Sequence, residues 1–250
     1  MSIDNIHIHP NDHIIDIVEA DYRTADVFRK YNIEYEASGQ LALSAICQKN
    51  HIDVDLLLDE LNRSVMHIPF PHNVDCTLWP IDFLADFIIH MRHTYFKITV
   101  PDLTAFIQNF TTSHREEFPA LQELTGWLES LSGIILRGIR QKEEVLFPYI
   151  RQIAHAHAGK VPYARLLALT LKKPLDELKK VEEKEIRNSL EHIRKITSHY
   201  STPPGAGITY VVAMAKLKEL DDYLQHNMYL EYELLYPKAM AIEQELILSE

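Results

Sequence analysis

The sequence contains little glycine, little cysteine and no long apolar segment. Only 7 of its 250 residues are glycine, and long periodic runs of Leu, Ile, Lys and Glu predict an all-α protein. The two cysteines, Cys47 and Cys76, form no Cys-x-x-Cys pair, so neither a disulfide framework nor a thiolate metal site is predicted. No apolar run approaches the ~20 residues of a membrane span, and no secretory signal precedes residue 30. We therefore expect a soluble cytoplasmic protein.

Positive charge is also scarce. The chain has 25 Lys and Arg residues against 36 Asp and Glu residues, which gives a formal net charge of −11. Because nucleic acids and anionic membranes attract cationic surfaces, this charge argues against a nucleic-acid partner and against a membrane partner. The hydrophobic content of 46% is ordinary for a globular protein.

The helical patterns divide the chain into three parts. Residues 1–62 contain short helices and predict a small helical domain, in which Thr24 and Asp53 are the expected N-caps. Residues 63–80 contain three prolines among mixed polar residues and predict a linker. Residues 81–250 hold four long helical patterns joined by short turns, which predict an up-down four-helix bundle. These patterns cover residues 81–112, 117–155, 162–200 and 208–248.

The last of these helices carries two polar residues on its apolar face. At helical period, Asn227 and Glu231 fall on one stripe with four leucines, which are Leu217, Leu220, Leu224 and Leu235. A buried carboxylate is costly unless it is neutralised. Glu231 therefore requires a metal ion, a catalytic role or a basic partner (Lys142 or Arg140), unless it reaches solvent at the end of the bundle near Pro237.

The other three helices each place one His or carboxylate on the inward face. These residues are His93 on the first helix, Glu143 on the second and Glu182 on the third. Glu183 lies at the edge of the third stripe, and the period alone does not choose between it and Glu182. Oxygen and imidazole groups converging from facing helices are how bundles build metal sites. The sequence therefore predicts either a metal site or a buried ion-pair network at this level.

Several short runs match the motifs of one known family. They are Asp21–Tyr31, Ala45–Cys47, Ile52–Val54, Lys142–Pro148, Thr202–Pro204, Leu230–Glu231 and Leu235–Pro237. On these residues the chain resembles the iron–sulfur cluster repair proteins of the ScdA/YtfE type, over nearly its whole length. The resemblance implies a small leading ScdA-N-like domain, a hemerythrin-like four-helix bundle and a role in the response to nitrosative or oxidative stress.

The chain departs from that family in its leading domain. The family has a Cys-Cys-Gly-Gly turn, and the same place here holds Glu36, Ala37, Ser38 and Gly39. Thiol chemistry is therefore not expected at this turn.

The bundle departs further. The family binds two irons with four histidines and two bridging glutamates, and the resemblance places these six positions on His93, Ile139, Glu183, Asn227, Glu143 and Glu231. Alignment on Phe147 and Pro148 places Gly138 and Lys142 in the second helix instead. His226 lies one position, or about 100°, from Asn227. One histidine of four remains, and the oxygen-rich set favours harder ions such as Mn²⁺ over a di-iron centre.

Two functions follow. The first is a metal-binding protein with a remodelled site, which holds iron (dinuclear or mononuclear) or another divalent metal such as Mn or Zn. Its expected ligands are His93, Glu143, Glu183, His226 and Glu231. The second is a non-enzymatic paralogue without metal that acts as a helical protein-interaction module. The expected partners are a second copy bound through the N-terminal domain, and an iron–sulfur or stress-response protein. No substrate and no catalytic residue follow from the sequence.

Overall fold

The computed structural model describes residues 7–66, 75–159, 161, 164–171 and 175–248. Within these ranges the chain is helical apart from turns, loops and one isolated bridge between His13 and Ala42. The predicted all-α fold is therefore confirmed. Residues 67–74 of the predicted linker lie outside the described residues. None of the described helices combines the length and the apolar composition that crossing a bilayer requires.

The helices follow one another along the chain with short connections. They are α1 (Ile14–Ala20), α2 (Thr24–Lys30), α3 (Leu43–Asn50), α4 (Val54–Val65), α5 (Ile81–Phe87), α6 (Thr94–Ser113), α7 (Gln122–Gln141), α8 (Phe147–Ala158), α9 (Ala164–Leu171), α10 (Leu175–Ile196), α11 (Ile208–Met228) and α12 (Tyr236–Leu248). Three π-helical turns join successive α-helices without a break in the helical path. They are Ile88–His93, Lys142–Leu146 and Tyr229–Leu235. Long helical paths thus form where the periodicity predicts them.

The chain divides into two compact units. The first comprises Met1–His72 and Tyr200–Leu217, and the second comprises Asn73–His199 and Lys218–Glu250. Tyr200–Leu217 joins the first unit because polar side chains tie it to the N-terminal helices. Lys216 Nζ lies 2.5 Å from Asp26 Oδ2, and Thr209 Oγ1 donates to Glu36 Oε2 at 2.8 Å.

The first unit packs its short helices around a small apolar core. Side chains that are fully excluded from solvent line its centre, including Ile14, Phe28, Leu43, Leu57 and Leu61. The predicted cap of α4 is confirmed, since Asp53 Oδ1 accepts from the backbone N–H groups of Asp55 and Leu56. The predicted cap of α2 is wrong. Thr24 is instead the first residue of that helix, and its hydroxyl donates to the carbonyl of Asp21 at 2.8 Å.

The second unit is built from the long helices, each of which contacts two others. α7 packs against α6 and α10. α10 and α11 are joined by Arg194, whose Nε and Nη2 lie 2.6 and 2.5 Å from the two carboxylate oxygens of Asp221. α6 and α11 are joined by Tyr95 and Tyr223, whose rings stack at a centroid distance of 4.2 Å. These contacts connect α6, α7, α10 and α11 in a ring.

The pair between Arg194 and Asp221 predicts a local stability effect. Asp221 is buried, so Arg194→Met leaves a carboxylate without its bidentate partner. We expect a loss of about 1–3 kcal/mol in the free energy of unfolding, measured by urea denaturation. Arg187→Met is the matched control because Arg187 pairs with Glu183 on the surface of the same helix, where such pairs contribute roughly 0.5 kcal/mol. Equal losses in the two variants would contradict the assignment.

Candidate ion network in the helical bundle

The candidate site lies in the second unit, where the π-helical turns occur. Each of the three π-helical turns in the described part of the chain carries a residue of the site: His93 in the first, Lys142 and Glu143 in the second, and Glu231 in the third. A π-turn contains one extra residue, which changes the direction in which neighbouring side chains point and often marks a functional site. A regular helical period in the sequence does not predict these turns.

His93 is the centre of the network. It is fully buried, and its ring stacks on Phe147 at a centroid distance of 5.5 Å. Nε2 lies 2.9 Å from Glu231 Oε1, and Nδ1 lies 3.0 Å from Glu143 Oε1. Each ring nitrogen of His93 thus faces one carboxylate oxygen, and the two carboxylates come from different helical paths.

Lys142 is a buried cation of the network. Its Nζ lies 2.5 Å from Glu231 Oε2 and 2.9 Å from Glu182 Oε1, and its side chain is 7% exposed. Tyr232 donates its hydroxyl to the other oxygen of Glu182 at 2.9 Å. Lys142 therefore joins the carboxylates of the third and fourth helical paths.

The network continues from His93 toward solvent. Lys97 Nζ donates to Glu143 Oε2 at 2.5 Å, and the Lys97 side chain is 46% exposed. A continuous series of contacts thus runs from this exposed lysine to the buried hydroxyl of Tyr232. Its carboxylates are Glu143, Glu182 and Glu231, its lysines are Lys97 and Lys142, and the His93 ring lies between Glu143 and Glu231. Every carboxylate of the network therefore contacts a lysine.

The pKa shifts agree with this pairing. Burial alone raises the pKa of Glu231, but the Lys142 ammonium and the contact with His93 outweigh burial and lower the pKa to about 2. Burial also opposes the charge of Lys142, yet the carboxylates of Glu231 and Glu182 outweigh it and raise the pKa of Lys142. The pKa of Glu143 is lowered because hydrogen bonds from Lys97 and His93 outweigh its partial burial. Both buried partners of the central ion pair therefore carry their charges near neutral pH.

Asn227 completes the buried group. The stripe predicted from the sequence is confirmed, since Asn227, Glu231 and the four leucines are all buried. Asn227 Nδ2 donates to Glu231 Oε1 at 3.0 Å. Its Oδ1 is buried and accepts no hydrogen bond within the described residues. One oxygen at the network is therefore left for a small polar ligand such as water.

The structure brings together some of the residues that the sequence proposed. His93, Glu143 and Glu231 meet in the network. Glu183 instead accepts from Arg187 Nε at 2.9 Å, while Glu182 occupies the place in the network. His226 is exposed on α11. The sequence pattern did not indicate Lys97 or Tyr232 as members of the site. The position of Lys97 one helical turn after His93 is a local signal for it.

Gly138 explains how Glu182 reaches the network. A Cβ atom built at Gly138 would overlap Glu182 Oε1. The absence of a side chain on α7 thus leaves room for the Glu182 carboxylate, which then contacts Lys142. Gly138 lies at one of the two positions that the resemblance gave for a histidine of the second helix.

The arrangement does not fit a metal ion. Both nitrogens of His93 are occupied by carboxylate oxygens, and Lys142 holds Glu231 and Glu182. The positive charges of Lys142 and Lys97 would also repel an incoming cation. Over the described ranges, no three side chains of the His, Cys, Asp or Glu type are grouped so that they could hold a metal ion.

The first unit carries a carboxylate where the resemblance implied a cysteine pair. Glu36 accepts a hydrogen bond from Thr209 Oγ1 and lies over Gly207, where a Cβ atom would overlap its Oε1. Thr209 is in the first turn of α11, so the Glu36 carboxylate lies near the positive end of the helix dipole. Cys47 is free and buried, and its burial raises the pKa of its thiol.

The fold and the site define an all-α protein whose long helices carry a network of buried ion pairs. Residues 10–65 match the ScdA_N family, described as a domain of unknown function (DUF542). Over 221 residues the chain is 25% identical to iron-sulfur cluster repair protein YtfE of Escherichia coli O81 (strain ED1a), of Escherichia fergusonii and of Shigella boydii serotype 4 (strain Sb227). These alignments cover 88% of this chain and 93% of each relative. The chain is therefore a divergent relative of the YtfE-type repair proteins, and the resemblance predicted from its motifs is confirmed.

Proposed function

We propose that this protein acts beside the iron–sulfur cluster repair system as a non-enzymatic helical interaction protein whose bundle holds no resident metal. The observation that carries this proposal is the position of His93 between Glu143 and Glu231. Each ring nitrogen lies within hydrogen-bond distance of a carboxylate there, and Lys142 holds the remaining oxygen of Glu231. Internal cations thus neutralise the carboxylates that a metal centre would use.

The relatives suggest where such a protein works. They are named as iron–sulfur cluster repair proteins, so we propose that this chain contacts an iron–sulfur or stress-response protein in the cytoplasm. We also propose that the leading domain, residues 1–62, pairs with a second copy of the chain. The linker at 63–80 and the bundle at 81–250 complete the proposed domain organisation. Sedimentation of the full chain measures whether it self-associates.

The metal content of the untagged protein tests the proposal. We expect less than one tenth of an equivalent of Fe, Mn or Zn after anaerobic loading and desalting, and no shift in Tm when any of these ions is added. A bound ion at one hundred times its Kd would raise Tm by roughly 5–10 °C, because it would add about 2.7 kcal/mol to stability. One or two tightly held ions per chain would overturn the proposal.

The competing function, metal binding at a remodelled site, is favoured by one observation. Asn227 Oδ1 is a buried oxygen that accepts no hydrogen bond in the described part of the chain. In that function His93, Glu143 and Glu231 bind the ion, and Glu183 and His226 leave their present positions to join them. Glu231→Ala distinguishes the two functions, because a Tm rise with Mn²⁺ that this variant abolishes supports metal binding.

A further inference from the structure

Contacts with two carboxylates fix the position of the Lys142 ammonium group. Its Nζ lies within 2.5 Å of an oxygen of Glu231 and within 2.9 Å of an oxygen of Glu182. These two carboxylates come from helical paths that are distant in sequence, and Lys142 comes from a third. A small cation coordinated between the same two oxygens would occupy a similar place.

We infer that Lys142 is a tethered cation that closes a latent divalent-cation site formed by Glu231 and Glu182. This inference rests on the proposed function, since it explains why the wild-type bundle holds no metal. Removal of the ammonium group is expected to expose an oxygen-rich site. Carboxylate and amide oxygens favour hard ions such as Mn²⁺ and Mg²⁺.

A covalently attached cation competes effectively with a free ion. The Lys142 ammonium is always present at the site, which corresponds to a high effective concentration. Its charge repels any second cation that approaches Glu231. The ammonium also lies over the ring of Tyr232 at 5.5 Å from the centroid, and the hydroxyl of that ring fixes Glu182. The aromatic ring therefore stabilises both the ammonium and one of its carboxylate partners.

The surroundings of Lys142 offer an approach for a small hydrated ion. A cleft of about 250 Å³ borders Lys142 and Glu182, and its other charged lining residues are Arg137 and Glu185. The missing side chain of Gly138 contributes to the room beside Glu182. Asn227 Oδ1, on the amide that contacts Glu231, is a further buried oxygen with no donor among the described residues. The latent site thus has two carboxylates and a cleft that reaches one of them, Glu182.

Titration with Mn²⁺ tests the inference directly. We expect Lys142→Ala to bind one Mn²⁺ at least tenfold more tightly than the wild type, by calorimetry and by loss of the free Mn²⁺ signal in electron paramagnetic resonance. Lys142→Arg retains a cation and should bind no better than the wild type. Lys142→Ala/Glu231→Gln removes one carboxylate and should lose the gain. Lys97→Ala removes a cation at the other end of the network and should leave Mn²⁺ affinity within about twofold of the wild type.

The outcomes separate this inference from the proposed function. Tight Mn²⁺ binding by the wild type overturns the proposed function. No binding by either the wild type or Lys142→Ala overturns only the tethered-cation inference, as does binding that survives in the double variant. If Lys142→Ala does not fold with or without Mn²⁺, Lys142→Gln keeps the length of the side chain without its charge. The same tenfold gain is then expected of Lys142→Gln, and its absence overturns the inference.

Discussion

Lys142→Met is expected to lower the free energy of unfolding by about 3–5 kcal/mol, because removing one partner of a buried ion pair leaves the other carrying a buried charge. Glu231 keeps its contacts with His93 and Asn227 but loses the ammonium at Oε2. Glu231 is fully buried and Lys142 nearly so, so solvent cannot replace the lost ammonium. Glu182 loses its contact with Lys142 in the same substitution. Urea denaturation of the full chain measures the loss.

Two further variants show whether charge or packing causes the effect. Lys142→Met/Glu231→Gln removes both charges and is expected to recover at least half of the lost stability, because a neutral amide is less costly to bury than a carboxylate. Lys184→Met is the matched control, since Lys184 is exposed on α10 and surface substitutions change stability by roughly 0.5 kcal/mol or less. A double variant as unstable as Lys142→Met alone would show that Lys142 acts through packing.

Acidification is expected to destabilise the protein by an amount on the order of 3 kcal/mol through Glu231 alone. The pKa of Glu231 is about 2 in the folded protein against an ordinary value of 4.5. Protonation is therefore easier in the unfolded chain. The stabilisation from this carboxylate is complete above pH 4.5 and is lost as the pH falls through the folded pKa of about 2. Glu143 titrates in the same direction because its pKa is also lowered.

Urea midpoints measured between pH about 2 and about 6 check this expectation. Glu231→Gln cannot ionise at this position, so its midpoint should fall less steeply over the same range than that of the wild type. Parallel pH profiles for the two proteins would show that Glu231 gains no stabilisation from Lys142 and His93.

At alkaline pH the pH dependence of the free energy of unfolding has the opposite sign. The raised pKa of Lys142 means that its stabilisation is complete below 10.5 and is lost as the pH rises through the folded value.

The helical paths and the buried stripe of α11 follow from local pattern. Leucines repeat at helical spacing in this stripe, and burial of their side chains is a large source of folding free energy, so the pattern indicates which face turns inward. Glu231 could be recognised as anomalous for the same reason. A buried Glu231 carboxylate needs a positive partner, and Lys142 is one of the two basic residues that the sequence offers for it.

The choice between Glu182 and Glu183 did not follow from the period. Two adjacent helical residues differ by 100° in direction, and the sequence pattern places Glu182 on the inward stripe and Glu183 at its edge. The selection depends on Gly138, on another helix, which leaves space for the carboxylate of Glu182. Glu183 is held instead by Arg187 one turn along its own helix.

Composition and hydrophobic period are thus enough to predict the helical class, the long helical paths and the polar groups buried among leucines. Each of these features depends on neighbours along the chain. The identity of the neutralising charges depends on three π-turns and on side chains that approach from different helices. Lys142 and Glu143 are adjacent in sequence, yet one binds Glu231 and the other binds His93. Which partner each side chain reaches depends on residues from other helices, so only the tertiary structure shows that Lys142 and His93 lie between the carboxylates.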